Sequence, residues 1–177
     1  MTYAAIPTIY KSIRFRSRLE AKWAAFFDLL KWRYEYEPYD LDGWIPDFII
    51  MGEKEILVEV KPFTEKESFD IGKLFKAARG TEKETKEIIL LGTSVFPANY
   101  WHNAACIGWL NDAILADNFD EAIFNHWNGI YGFIHSSGGW QDRITGLYDG
   151  NGFLDIPQFS EIQEIWNEAG SIVQWKR

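Results

Sequence analysis

Along residues 17–32, Leu19, Trp23, Phe26, Phe27 and Leu30 recur at the three-and-four spacing of a helix, with polar residues between them. That spacing predicts one amphipathic helix with a single apolar face. Residues 34–37 alternate aromatic and acidic side chains, which predicts a short strand, and the stretch 38–43 is rich in turn formers. Residues 47–51 and 56–61 predict two strands joined through Gly52-Glu53-Lys54 as a hairpin. Thr64 followed by Glu67 has capping-box spacing and predicts the start of a second helix. Ile71, Leu74, Phe75 and Ala78 would form its buried face, and Gly80 is placed to stop it. The apolar run within 87–95 predicts a buried strand. This order of helix, three strands, helix and strand predicts an α/β (α+β) fold, a mixed sheet flanked by helices.

Beyond residue 100 the pattern weakens. Residues 101–117 carry a poor helical pattern, and 129–135 with 140–148 flank Ser136-Ser137-Gly138-Gly139 as a second hairpin. A helix is predicted over 157–169 and a last strand over 172–175. Six of the nine tryptophans lie here, and core packing is the first role expected of such large side chains. No repeat or long linker divides the chain. The expected organisation is a core over residues 1–100, with an aromatic-rich C-terminal extension over 101–177 packed on it as one compact domain.

Composition changes the picture in three ways. The 47% hydrophobic content supplies a core, yet no run approaches the about 20 apolar residues of a membrane helix. The N-terminus lacks the layout of a signal peptide, and Cys106 is the single cysteine, so a soluble, cytoplasmic protein without disulfides is expected. The net charge of -8 argues against a general nucleic-acid coat protein, although the charge is uneven. Residues 1–33 hold seven basic groups against two acids (+5), whereas residues 101–177 hold three against ten (-7).

The chemistry concentrates in Pro46-Asp47 and Glu59-Val60-Lys61. On a hairpin, Asp47 begins one strand where Glu59 ends its neighbour. Alternation then points Glu59 and Lys61 one way and Val60 into the core. Two carboxylates and an ammonium so placed either bind a cation or form an ion-pair network. Asp47, Glu59 and the Val60 carbonyl suit Mg²⁺, a hard cation that prefers oxygen ligands, and Mn²⁺ should substitute. Such a cation serves phosphodiester hydrolysis, in which Lys61 could orient water, assist its deprotonation or hold the phosphate. Glu20 has two available roles. It can join these acids, or it can complete a capping box with Ser17.

The words Phe15-Arg16-Ser17-Arg18-Leu19-Glu20-Ala21, Tyr34-Glu35-Tyr36-Glu37, Pro46-Asp47-Phe48 and Val58-Glu59-Val60-Lys61-Pro62 resemble the PD-(D/E)xK nuclease superfamily over residues 12–96. In pattern they are similar to phage junction-resolving endonucleases and transposon end-cleaving subunits, although this chain is acidic where the resolvases are strongly basic. The resemblance implies a restriction-endonuclease-like core and a Mg²⁺-dependent DNA endonuclease of phage or mobile-element type. It also implies that Glu20, Asp47 and Glu59 hold metal and that Lys61 is catalytic. DNA is the expected partner, with RNA left open. A protein partner or a second copy of the chain would be compatible, and a membrane would not. The rival reading is a catalytically silent nuclease-fold protein that binds nucleic acid or a protein. Arg14, Arg16 and Arg18, together with Lys73 and Lys76 (and Arg79) on the second helix, are candidate phosphate contacts, with solvated surface charge as the alternative for each. His102, His126 and His135 show no ligand spacing, and Gly150-Asn151-Gly152 reads as a turn.

Overall fold

Strict alternation in the central strands decides the layering. The computed structural model describes residues 5–41, 43–79, 86–111, 119–137, 140–148 and 154–174, with side chains left out for 77–79. In β4 (Phe48–Met51), Phe48 and Ile50 enter one core and Ile49 the other; in β5 (Glu55–Val60), Ile56, Val58 and Val60 oppose Leu57. In β6 (Glu87–Leu91), Ile89 and Leu91 similarly oppose Ile88 and Leu90. Strands apolar on both faces need cover on both faces. The helix α1 (Arg18–Leu29) covers the first face through Trp23, Phe26 and Phe27, and α2 (Ile71–Arg79) covers the second through Leu74 and Phe75.

The strand β3 (Tyr34–Tyr36) pairs antiparallel with β4, β4 with β5, and β5 parallel with β6. The parallel step requires a crossover, which α2 supplies. β7 (Phe96–Pro97) and the inner half of β6 share one edge of β8 (Ala105–Asn111), whose other edge takes β9 (Phe119–Trp127) and then β10 (Ile130–His135). The result is a mixed α+β fold whose sheet has eight strands among the described residues. A separate hairpin of β1 (Thr8–Tyr10) and β2 (Ile13–Phe15) precedes α1. Among the described residues no helix is long and apolar enough to cross a membrane.

Local chemistry fixes the ends of α1. Ser17 is its N-cap, and its hydroxyl accepts from the Glu20 amide at 3.1 Å. At the other end Lys31 takes the left-handed conformation (φ 60°), and the Trp32 amide donates to the Phe27 carbonyl at 2.9 Å. This is the six-to-one bond of a Schellman ending, with a stacked Phe27–Trp32 contact beside it. The helix α3 (Phe159–Ile172) lies against α1, where Trp166 sits 4.4 Å from Trp23 and 5.4 Å from Phe26 between ring centroids. The C-terminal residues therefore share the core of the first hundred. The 140–148 loop adds a second tie, because Arg143 pairs with Glu87 and its carbonyl accepts from the Glu53 amide.

Several expectations need correction. The second helix does not open at Thr64. Glu67 falls in a 3-10 turn over Lys66–Ser68, and α2 begins after Asp70, whose carboxylate accepts from the Lys73 amide at 3.3 Å. Residues 105–111 form a strand, not part of a helix, because they are buried on both faces between β6–β7 and β9. β10 pairs with β9 across Asn128-Gly129, and residues 140–148 contribute only a Gln141–Tyr148 bridge. Ile172 ends α3 and starts no strand. Of the tryptophans beyond residue 100, Trp109 and Trp166 are buried, while Trp127 and Trp140 are exposed. Gly80, residues 112–118, Gly138-Gly139, Gly150-Asn151-Gly152 and Trp175 lie outside the described residues.

Candidate functional site

The register of β4 on β5 places Phe48 opposite Val58, so Asp47 and Glu59 meet at one end of the sheet. The Asp47 amide donates to the Val58 carbonyl at 2.9 Å, and the Val60 amide returns a 2.7 Å bond to Asp47 Oδ2. Asp47 is thus fixed by backbone and is only 1% exposed. Burial pushes its carboxyl up to about 6, with Glu59 and Glu20 adding to the shift and Lys61 and the Val60 amide opposing it.

Glu59 shares the α2 face of β5 with Leu57, while Val60 is buried on the α1 face, as alternation requires. Trp44 Nε1 donates to Glu59 Oε2 at 2.9 Å, which leaves Oε1 for Lys61 at 2.5 Å. The Lys61 amide continues the parallel ladder by donating to the Leu91 carbonyl. Its ammonium lies 2.5 Å from Glu59 Oε1, 3.2 Å from the Val60 carbonyl and 3.6 Å from Asp47 Oδ2. Those are the three oxygen donors expected to form the metal shell. A positive charge already sits among them.

Glu20 reaches the same end of the sheet from α1. Its amide is capped by the Ser17 hydroxyl, which donates in turn to Glu20 Oε1 at 2.8 Å. Oε2 accepts from the Tyr36 hydroxyl at 2.6 Å and the Arg16 amide at 3.2 Å. The capping role and the place beside Asp47 are held together, and the reciprocal bond comes from Arg16 in place of the Ser17 amide. Burial and the bond to Glu20 push the Tyr36 hydroxyl up to about 12, so it remains a donor at neutral pH.

Arg16 is not a free surface cation. Its guanidinium pairs with Asp47 Oδ1 through Nη2 and with Glu37 through Nε at 2.8 Å, and Nε stands 3.9 Å from Glu20. Among the described residues no three Asp, Glu, His or Cys side chains are gathered as a metal cage; Arg16 and Lys61 bridge the carboxylates. The other candidate cations are spread out. Arg14 is exposed on β2, and Arg18 lines a cleft of about 470 Å³ with Arg16, Glu20, Asp47 and Lys61. Lys73 lines a second cavity of about 250 Å³ on the Glu59 side of Lys61, and Lys76 is exposed on α2.

Three residues that complete the site were not singled out by sequence: Tyr36, Glu37 and Trp44. The alternation of residues 34–37 carried a signal for the first two, since Tyr36 ends β3 and Glu37 follows it beside Asp47. Trp44 gave none, being a lone aromatic in a turn-rich stretch. Compared with family models, with curated proteins and with solved structures, the chain matches none.

Proposed function

We propose that this chain is a divalent-cation-dependent nuclease with a restriction-endonuclease-like core of PD-(D/E)xK type, hydrolysing DNA phosphodiester bonds with Mg²⁺ and able to use Mn²⁺. The observation that carries this reading is the seat of the Lys61 ammonium, within 3.6 Å of Asp47, Glu59 and the Val60 carbonyl. Two buried carboxylates and a carbonyl facing one cation are hard oxygen donors in the set that Mg²⁺ takes, with remaining positions filled by water. Asp47, Glu59 and Val60 would hold the ion, with Glu20 joining directly or through water. When bound, it would supply a water of lowered pKa and offset charge developing on the phosphate.

The chain's own groups perform the positioning. Val60 N–H holds Asp47 Oδ2 and Trp44 Nε1 holds Glu59 Oε2, so both carboxylates are fixed in direction before any ligand arrives. Tyr36 does the same for Glu20. Lys61 is 41% exposed at the side chain, and its flexible stem lets the ammonium leave the carboxylates and donate to a phosphate oxygen. Hydrolysis then joins a water oxygen to phosphorus and breaks one P–O ester bond, and the departing oxygen takes up a proton.

The test is a panel of labelled single-stranded, duplex and branched DNA, with matching RNA, incubated with Mg²⁺, Mn²⁺ or excess chelator. Cleavage of DNA is expected with either metal and none with chelator. Lys61→Ala should remain folded and lose on the order of 100-fold or more in single-turnover rate. Full cleavage under chelation would overturn the role of the metal, and no cleavage of any substrate would overturn the nuclease reading and favour an ion-pair network serving a binding protein.

A further inference from the structure

Arg16 carries an arrangement that the nuclease reading alone does not use. It follows directly on β2 at the approach to α1, and its side chain is 56% exposed. An arginine so open to water has no need of buried partners. Even so, its guanidinium spans Asp47 on one side and Glu37 on the other. Glu37 is itself unusual, because it holds φ at 45°, in the left-handed region that a non-glycine residue enters at a cost. That conformation carries the chain away from β3 just where its carboxylate meets Arg16.

We propose that Arg16 is a latch on the carboxylate cluster: bridged between Asp47 and Glu37, it closes the Asp47 side in the resting protein, opens when the cluster takes up a divalent cation, and then serves as a ligand for substrate phosphate. The inference rests on the nuclease reading and adds a competition to it. One oxygen of Asp47 is held by the Val60 amide and approached by Lys61, and the other is taken by Arg16. A cation that needs the second oxygen must displace the guanidinium. Arg16 lines the cleft of about 470 Å³ beside Lys61 and Arg18, so a guanidinium turned away from Asp47 remains on the wall where a phosphate would lie. Its planar fork suits two carboxylates in the closed state and two phosphate oxygens in the open one.

The latch predicts a sign that simple electrostatics does not. Removing the negative charge of Glu37 near a cation site should, by Coulomb attraction alone, weaken metal binding. If Glu37 holds Arg16 closed, removing it should strengthen binding instead. Titration calorimetry of metal-free protein with MnCl₂ at pH 8, where Asp47 is ionised, reads this directly. Glu37→Gln should bind Mn²⁺ about two- to fivefold more tightly than wild type, the range for loss of one part-exposed ion pair. In an Arg16→Gln background the same change should give no gain or a loss, because no latch is left to open. Arg16→Lys supplies a second route at unchanged charge. Lysine cannot fork between two carboxylates, so this variant should also bind more tightly, whereas charge alone predicts no change.

The phosphate half is read from salt dependence with a single-stranded oligonucleotide. In the presence of Ca²⁺, Arg16→Gln should lower the slope of log K against log salt by about 0.7, the value of one phosphate contact. Under chelation the slopes of variant and wild type should coincide. Weaker Mn²⁺ binding by Glu37→Gln in both backgrounds, or no tightening in Arg16→Lys, would overturn the latch while leaving the nuclease reading intact. Equal slopes in Ca²⁺ would overturn the phosphate role. Absence of any Mn²⁺ binding by wild type would overturn the latch and the nuclease reading together.

Discussion

Replacing Asp47 by asparagine should make the metal-free protein more stable at neutral pH and not in acid. Asparagine is nearly the same shape, and its carbonyl can still accept from the Val60 amide. It loses only the ability to ionise. The Asp47 carboxyl is pushed up to about 6, chiefly by burial, whereas in the unfolded chain it titrates near 3.8. Between those values the folded protein binds the proton and the unfolded chain does not, so wild-type stability falls as pH rises from about 4 to about 6. It stays at the lower level above that. A shift of about two units at about 1.4 kcal/mol each gives roughly 3 kcal/mol. Asp47→Asn removes this penalty. The variant also frees Arg16 and Lys61, whose side chains are 56% and 41% exposed, and water can solvate both.

Urea denaturation in chelator at pH 4, 5, 6 and 7 measures the effect as a difference between two proteins, so the titration of carboxylates that do not interact with Asp47 cancels. The stability of Asp47→Asn relative to wild type should climb by about 3 kcal/mol from pH 4 to 7, or roughly 6–12 °C in melting temperature for a chain of this size. Saturating Mg²⁺ at pH 7 should raise the wild type more than the variant, because the neutral amide is a weaker ligand than the ionised carboxylate. A difference that stays flat with pH would refute the reasoning: Asp47 would then be ionised as easily in the folded chain as in the unfolded one.

Two other substitutions probe the groups that orient the carboxylates. Trp44→Phe keeps an aromatic ring in the α2-side core and removes the donor to Glu59 Oε2, so Mn²⁺ affinity measured by calorimetry should fall by about tenfold or more; unchanged affinity would mean that Lys61 alone fixes Glu59. Tyr36→Phe removes a 2.6 Å bond to Glu20, which should cost about 1–2 kcal/mol in urea denaturation and lower single-turnover cleavage about tenfold. Loss of stability with normal cleavage would confine Glu20 to capping α1.

How much of the fold can be read from sequence follows from how strictly each segment obeys one period. α1 is legible because its apolar positions recur at helical spacing, and the β3–β5 meander because its strands are short and set off by turns that carry Gly or Pro. β8 is not, since Ala105–Asn111 is buried along its whole length, and a continuous apolar run looks the same as a stretch of buried helix. The β1–β2 hairpin turns through Lys11-Ser12, both at positive φ without glycine or asparagine, so the residues announce nothing. The β9–β10 turn does announce itself: Asn128-Gly129 takes positive φ at both positions, the pair a tight hairpin favours, and it outweighs the nearby Ser-Ser-Gly-Gly stretch. At α2 the capping-box spacing misleads. Asp70 caps the helix, and Glu67 lies in a 3-10 turn before it.

The site divides along the same line, between local register and tertiary contact. Asp47, Glu59 and Lys61 are legible together because a hairpin of known length fixes which residues face each other. Arg16, Tyr36 and Trp44 reach them from other segments, over separations no periodicity encodes. Glu20 shows how the two levels join. Capping and membership of the carboxylate cluster looked like alternatives in the sequence, each with its own spacing argument. In the folded chain one hydroxyl serves both, since Ser17 Oγ accepts from the Glu20 amide and donates to the Glu20 carboxylate. Starting the helix therefore aims the side chain. The same turn places the Arg16 amide on Glu20 Oε2 and its guanidinium on Asp47. A carboxylate on the first turn of a helix is already favoured there by the orphan amides and the dipole, so the helix start tolerates an acid that the cluster requires. The remaining charge is met by Arg16 and Lys61. Because both of those cations sit on side chains open to water, they can leave the cluster without unfolding anything.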